Sequence, residues 1–283
     1  MVLSRIEESW DGFKWHIRDG FRHDSLTLTK REYSVLKLLK SLASKEKTFV
    51  EVGAHVGYYT VRMAPIYRQV IAIEPNPQSL ECLTKNIELN RLSNIKIIPV
   101  ACGEKEDTLP LGIMEGGSSF YRKNIQTINV PVKRLDDLVE FGDVVKIDVE
   151  GWEEKVIAGA TRFISKCKPI IIIEHHEFEY YPEAKGSYER IKKMLTGYRR
   201  FNLDCTRFAY IHQDTLKTLP KETLGLLVGY HWFWKMFYNV KEGRPWYYGL
   251  PHTWWYGMGI LDVVENLIEH LDEPEWLELI KDE

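Results

Sequence analysis

The four cysteines, Cys82, Cys102, Cys167 and Cys205, are scattered, and no CxxC pair occurs among the 283 residues. That excludes the spacing of a zinc ribbon or a thioredoxin-type redox motif and suggests buried thiols in a reducing compartment. Long apolar runs are also missing: no uncharged stretch approaches the roughly 18 residues a membrane-spanning helix needs. The first twenty residues, MVLSRIEESWDGFKWHIRDG, hold no apolar core of signal-peptide length, so a cytoplasmic location is expected. Basic residues are not in excess. With 38 Lys and Arg against 41 Asp and Glu, the net charge of −3 gives no global argument for a nucleic-acid partner.

What is present is an alternation of apolar strands and helices. TFVEVGA, QVIAIEP, IKIIPVA, VVKIDVEG and PIIIIEHH are apolar on nearly every residue, and helical patterns separate them. YYTVRMAPIY is a helix shortened by Pro65, QSLECLTKNIELN carries Leu80, Leu83 and Ile87 on one face, and EEKVIAGATRFIS is a third helix. Such strands predict a mostly parallel sheet covered on both faces, an α/β fold. YERIKKMLTGY and RRFNLDCTRFAYI then predict a helix and an antiparallel hairpin that closes the sheet. The stretch 103–135 reads as a β insertion with a Gly-Gly-Ser-Ser turn, and residues 1–28 as an N-terminal extension. Thr29 and Glu32 fit a capping box for a helix with Val35, Leu38, Leu39 and Leu42 inward.

Chemistry concentrates at the strand ends. FVEVGAHVGYYT breaks from strand to helix at Gly53 and Gly57, where a missing Cβ permits tight turning and close approach of a ligand. A dinucleotide site asks for GxGxxG, and its second glycine is replaced here by His55. A P-loop is excluded more firmly, because no Gly-Lys-Ser/Thr follows. Glu74 ends the second strand, 23 residues after Glu51, where a carboxylate can accept hydrogen bonds from both hydroxyls of an adenosine ribose. The alternative for Glu74 is a solvated carboxylate beside Pro75.

KIDVEGWE (146–153), with FVEVGAHVGYYT, AIEPNP, RLDDL and IIIIEHH, resembles the FkbM-type methyltransferase family over about residues 45–205. The resemblance implies a class I Rossmann-like methyltransferase fold, S-adenosylmethionine as methyl donor, and a hydroxyl oxygen of a sugar, glycan or small metabolite as acceptor. It places Glu51, Gly53, Ala54, His55 and Gly57 at the methionine and adenosine corner and Glu74 on the ribose. Ala101 and Cys102 would flank the adenine, and Asp148 would lie beside the reacting methyl with Glu150. Asp148, Glu150, Glu174, His175 and His176 fall at the ends of two strands, so Asp148 is expected to position the acceptor and His175 or His176 to act as base. Glu150 has a second reading, as an anion at a helix N-terminus. Adjacent strand histidines point to opposite faces, a poor arrangement for a shared metal, and no metal site is expected. An RNA or protein N-methyltransferase and a non-catalytic cofactor-binding module are the alternatives.

The resulting division is an extension and helix over 1–44, a methyltransferase domain over 45–215 and a C-terminal extension over 216–283. In that last part, twelve of the 28 residues from Tyr230 to Gly257 are aromatic. Packing, self-association, an acceptor platform or interfacial membrane contact all use such rings. Residues 260–283 read as an acidic amphipathic helix or pair, with nine carboxylates against one lysine.

Overall fold

The computed structural model of the chain describes residues 3–114, 117–122, 125–176, 181–204 and 206–238. Strands β1 (Ser4–Glu8) and β2 (Lys14–Arg18) come first, then α1 (Arg22–Leu26) and α2 (Tyr33–Leu42). The alternating core follows as β3 (Thr48–Val52), α3 (Tyr58–Met63), β4 (Gln69–Ile73), α4 (Pro77–Leu89) and β5 (Ile95–Ile98). An insertion holds β6 (Ala101–Cys102), β7 (Asp107–Gly112) and β8 (Thr127–Lys133), and α5 (Leu135–Leu138) returns the chain to the core. There it adds β9 (Val144–Ile147), α6 (Glu153–Ala158), α7 (Thr161–Cys167) and β10 (Ile170–Glu174). Helix α8 (Ser187–Met194), strands β11 (Tyr198–Asn202) and β12 (Arg207–His212), and helices α9 (Gln213–Leu216) and α10 (Lys221–Tyr238) end the described chain.

The central sheet has the order β11-β12-β10-β9-β3-β4-β5. Pairing is parallel from β5 to β10 and antiparallel at β12 and β11, as the apolar strands and the closing hairpin predict. Strand order reverses between β3 and β9, and in open α/β sheets the ligand crevice lies outside the carboxyl ends at that point. On one face Leu39, Tyr59, Met63 and Leu227 pack over Phe49 and Ile172; on the other, Val156, Phe163 and Ile191 pack over Val50 and Ile171. Helix α4 starts where the sequence says it should. Asn76 accepts from the Gln78 N–H at 2.9 Å, and Pro77 occupies the first turn, where its missing N–H costs nothing.

Several expectations are corrected. IKIIPVA is not one strand: it divides at Pro99 into β5 and β6, and β6 leaves for a separate sheet of order β6-β8-β7. The single helix expected from EEKVIAGATRFIS breaks at Gly159, where a Cβ would lie 1.9 Å from the Gly103 carbonyl oxygen. There is no capping box. Thr29 Oγ1 donates to the Leu26 carbonyl, and Glu32, the residue before α2, turns its carboxylate inward to the Tyr59 hydroxyl at 2.6 Å and to Arg207 at 3.1 Å. Pairing with the Arg207 guanidinium outweighs a solvated cap. Of the C-terminal expectations, residues 239–283 lie outside the described residues, so the fates of most of the aromatic segment and of the acidic helix do too. No described helix is long and apolar enough to cross a membrane.

The N-terminal extension is structured. β1 and β2 form an antiparallel hairpin whose Trp15 and Ile17 are fully buried against Val61. Asn86 of α4 and Asn90, the residue after that helix, accept the His16 and Lys14 N–H groups at 2.7 and 2.9 Å. Arg62 of α3 is buried and locks this hairpin to the core. It pairs with Asp11 at 2.7 Å and donates to the carbonyls of Thr27 and Tyr58, between the rings of Trp15 and Tyr58. Removing one partner of such a pair strands the other's charge. Urea unfolding of Arg62→Met is expected to show a loss of about 3–5 kcal/mol, part of which the double variant Arg62→Met/Asp11→Asn recovers.

Candidate active site

An open cleft with about 1060 Å³ of empty space lies at the carboxyl ends of β3, β4 and β9. Its first wall is the glycine corner. Gly53 has φ +87, and a Cβ there would lie 1.8 Å from the Asp148 carbonyl oxygen, so β3 and β9 close together only because the side chain is absent. Gly57, φ +93, precedes α3, and a Cβ on it would meet Leu83 Cδ1 at 2.6 Å. His55 stands between them at φ 49, and its backbone N–H donates to Glu74 Oε2 at 2.8 Å. The Asn76 N–H donates to Glu74 Oε1 at 2.9 Å. Each carboxylate oxygen is thus anchored by one backbone donor and keeps a lone pair free, which fits a pair of ribose hydroxyls. Burial pushes the Glu74 carboxyl up to about 7, against the two backbone bonds that favour its charge. Ala54, Ala101 and Cys102 line the same space, the last two from β6 rather than from a turn.

The second wall is acidic. Glu51 and Lys146 are register partners on β3 and β9, both buried. Burial raises the Glu51 carboxyl to about 7, Lys146 opposes the rise, and Thr60 donates to it at 2.5 Å. Lys146 Nζ donates to Asp148 Oδ2 at 2.9 Å. Burial works against the charge of Asp148, but Lys146 and His176 outweigh it and hold its carboxyl below the ordinary range. Glu150 accepts from the Tyr181 hydroxyl at 2.5 Å and adopts φ 53. It does not cap α6; the Gly151 N–H is taken instead by Glu153 Oε1 at 3.0 Å. The insertion closes over this edge: Ser119 Oγ donates to the Glu150 carbonyl at 2.6 Å, and a Cβ on Gly117 would lie 2.6 Å from Glu150 Oε1.

The adjacent histidines separate, as strand alternation requires. His175 is buried away from the cleft, with its Nε2 3.0 Å from the Tyr210 hydroxyl and Tyr188 and Phe208 around its ring. Burial, with His176 and Arg200 adding to it, lowers its pKa to about 3. Its expected role as base does not fit this placement. His176 does line the cleft, and its Nδ1 is 2.9 Å from Glu153 Oε1. Burial disfavours the imidazolium, but the Glu153 bond and the charges of Glu174 and Asp148 outweigh it, and the pKa is pushed up to about 10. At neutral pH the ring is a donor rather than a base.

Behind Glu174, Arg207 of β12 forks onto both carboxylate oxygens at 2.9 and 2.7 Å and also reaches Glu32. Burial opposes the charge of Glu32, yet Arg207 and Arg31 hold its carboxyl at about 2. Sequence reasoning gave no role to Arg31, Tyr59, Lys146, Glu153 or Arg207, and read Glu32 only as part of a capping box. Lys146 and Glu153 lie inside KIDVEGWE, so their signal was present. The pairing of Arg207 with Glu32 carries none, since they meet only in the fold.

A Rossmann-like α/β sheet with an open cleft at its switch point defines the class I methyltransferase architecture. The family model described as "Methyltransferase FkbM domain" matches residues 51–206, more than half of the 283. The chain belongs to this family, whose methyl donor is S-adenosyl-L-methionine, and the Gly53–Gly57 corner with Glu74 fits that donor. Among curated relatives, hexuronic acid methyltransferase AglP of Haloferax volcanii is 28% identical over 176 residues, covering 57% of this chain and 66% of that protein. A probable cobalt-precorrin-6B C(15)-methyltransferase of Sulfolobus acidocaldarius is 28% identical over 120 residues, covering 40% of this chain and 62% of that one. The matches therefore span just under two thirds of these relatives' own lengths. The crystal structure of methyltransferase FkbM from Methylobacillus flagellatus is 22% identical, with a TM-score of 0.45 and coverage of 64% of this chain and 48% of that one.

Two outcomes follow. Gly53→Ala places a methyl against the Asp148 carbonyl and forces a left-handed alanine, so calorimetry is expected to show loss of S-adenosylhomocysteine binding and thermal scans a lower melting temperature. The raised Glu74 carboxyl favours the folded apo protein at low pH, and that contribution is lost as pH rises from about 4.5 through about 7. Denaturant unfolding of wild type relative to Glu74→Gln is expected to lose about 1.4 kcal/mol between pH 6 and pH 8.

Proposed function

We propose that the protein transfers a methyl group from S-adenosyl-L-methionine to a hydroxyl oxygen of a sugar, a glycan or a small metabolite. The observation that carries this reading is the meeting, in one cleft, of the Glu74 corner with the charged edge of Asp148, Glu150 and His176. Bound donor supplies an electrophilic methyl on a sulfonium. The chain's own groups supply alignment and a place for the acceptor's proton.

Asp148 is held by Lys146 through Oδ2, which leaves Oδ1 facing the cleft to accept a hydrogen bond from the acceptor hydroxyl. As the new oxygen–carbon bond forms and the sulfur–carbon bond breaks, Asp148 holds the hydroxyl, and its proton passes to Glu150, whose carboxyl burial raises, and then to water. His176, charged at neutral pH, donates rather than accepts and offsets the carboxylates around it. Trp152 and Phe120 line the same space with apolar surface and keep water from the methyl. The likeness to a hexuronic acid methyltransferase supports a sugar-type acceptor.

The test is transfer of labelled methyl from S-adenosylmethionine to sugar, glycan and small-metabolite extracts, with RNA and protein as comparisons. Asp148→Asn is expected to lower transfer by about 10²–10⁴-fold while keeping S-adenosylhomocysteine affinity near wild type. Label appearing only in RNA or protein would overturn the acceptor assignment, and unchanged transfer in Asp148→Asn the role of Asp148.

A further inference from the structure

Asp148, Glu174 and His176 each bring one metal-ligand atom to the carboxyl ends of β9 and β10, all within 4.8 Å of one another. Of the histidine pair only His176 takes part, so the objection that two adjacent histidines cannot share an ion does not apply; the carboxylates come from neighbouring strands instead. The imidazole is oriented from behind. Glu153, fully buried, takes Nδ1 at 2.9 Å, and this aims Nε2 into the cleft.

Nε2 stands 4.0 Å from Asp148 Oδ1, 3.9 Å from Glu150 Oε2 and 3.9 Å from Glu174 Oε1. A hydrogen bond from nitrogen to oxygen spans about 2.7–3.2 Å, so the ring is bonded to none of the three. It stands nearly equidistant from all of them, facing a common space. Asp148 Oδ1 also holds no hydrogen bond among the described residues, because Lys146 is bound to Oδ2. Glu174 is fixed by Arg207 but keeps lone pairs beyond the forked contact. Two ligands about 2.1 Å from one ion lie about 3 Å apart at right angles and about 4.2 Å apart when opposite. The observed separations need only a small closing-in to match.

We infer that Asp148, Glu174 and His176 bind a divalent metal ion at the acceptor edge of the cleft, with Glu153 as the positioning residue for His176. One imidazole and two carboxylates suit a cation of the Mn²⁺ type, and the ion takes the place of the proton on Nε2. A carboxylate behind a ligating histidine is the usual outer partner of such a site. Three protein ligands leave positions open for two oxygens of a bound molecule. The inference rests on the methyl-transfer reading for its consequence: the acceptor hydroxyl is flanked by a second oxygen, as in a vicinal diol or an α-hydroxy acid, and the ion makes that hydroxyl more acidic.

The test is titration of Mn²⁺ into chelator-treated full-length protein saturated with S-adenosylhomocysteine, with free Mn²⁺ followed by electron paramagnetic resonance. Calorimetry of S-adenosylhomocysteine on the same samples reports the cofactor site separately. One saturable site is expected in the wild type. It should be absent in Asp148→Asn and His176→Gln, whose S-adenosylhomocysteine affinity is retained, and about 10–100-fold weaker in Glu153→Gln. Wild type that binds S-adenosylhomocysteine but no Mn²⁺, or Mn²⁺ binding unchanged in Asp148→Asn and His176→Gln, would overturn the metal site and leave the methyl-transfer reading standing. Binding of neither ligand to folded wild type would remove both.

Discussion

The approach of Gly53 to the Asp148 carbonyl is the contact on which the rest of the site depends. Strand order reverses between β3 and β9, and a Cβ at position 53 would come within 1.8 Å of that oxygen. Because the glycine lets the strands stay paired to their ends, Glu51 and Lys146 remain side by side, and Lys146 can reach Asp148. The glycine corner and the acidic edge are therefore one cleft. Neither half has to be brought to the other by a domain movement.

The cleft is held open by charges that are balanced behind it. Glu32, Arg207 and Glu174 join the start of α2, β12 and β10 in one ionic network, so the segment before the family match contributes directly to the site. Breaking such a network from one side is costly, because water reaches the remaining charges only in part. Backbone strain gathers at the same place. Glu32, His55 and Glu150 are non-glycine residues in the left-handed region, and all three line the cleft. Each costs about 1–3 kcal/mol and persists only where surrounding contacts enforce it.

The sheet was legible because buried parallel strands are apolar throughout, and β3, β4, β9 and β10 each stand out as such runs. The glycine corner and Glu74 were legible because their positions follow from where strands end. The N-terminal hairpin was not: KWHIR alternates, but five residues of alternation among charges do not separate a strand from a loop. Glu32 misled in an instructive way, since a capping box is a local pattern and its carboxylate answers to Arg207, distant in sequence. For the histidines, alternation predicted that one would face inward; only the packing of Tyr188, Phe208 and Tyr210 identified it as His175. Glu153 and Lys146 were visible as letters of a motif, but their functions depend on which strand lies alongside.

The central claim is that the Gly53–Gly57 corner and Glu74 form one S-adenosylmethionine site. Calorimetric titration of S-adenosylhomocysteine into wild type and Glu74→Ala tests it most directly. The account predicts micromolar-range binding to the wild type and its loss in a Glu74→Ala protein that remains folded. Equal binding by both proteins, or none by folded wild type, would contradict it.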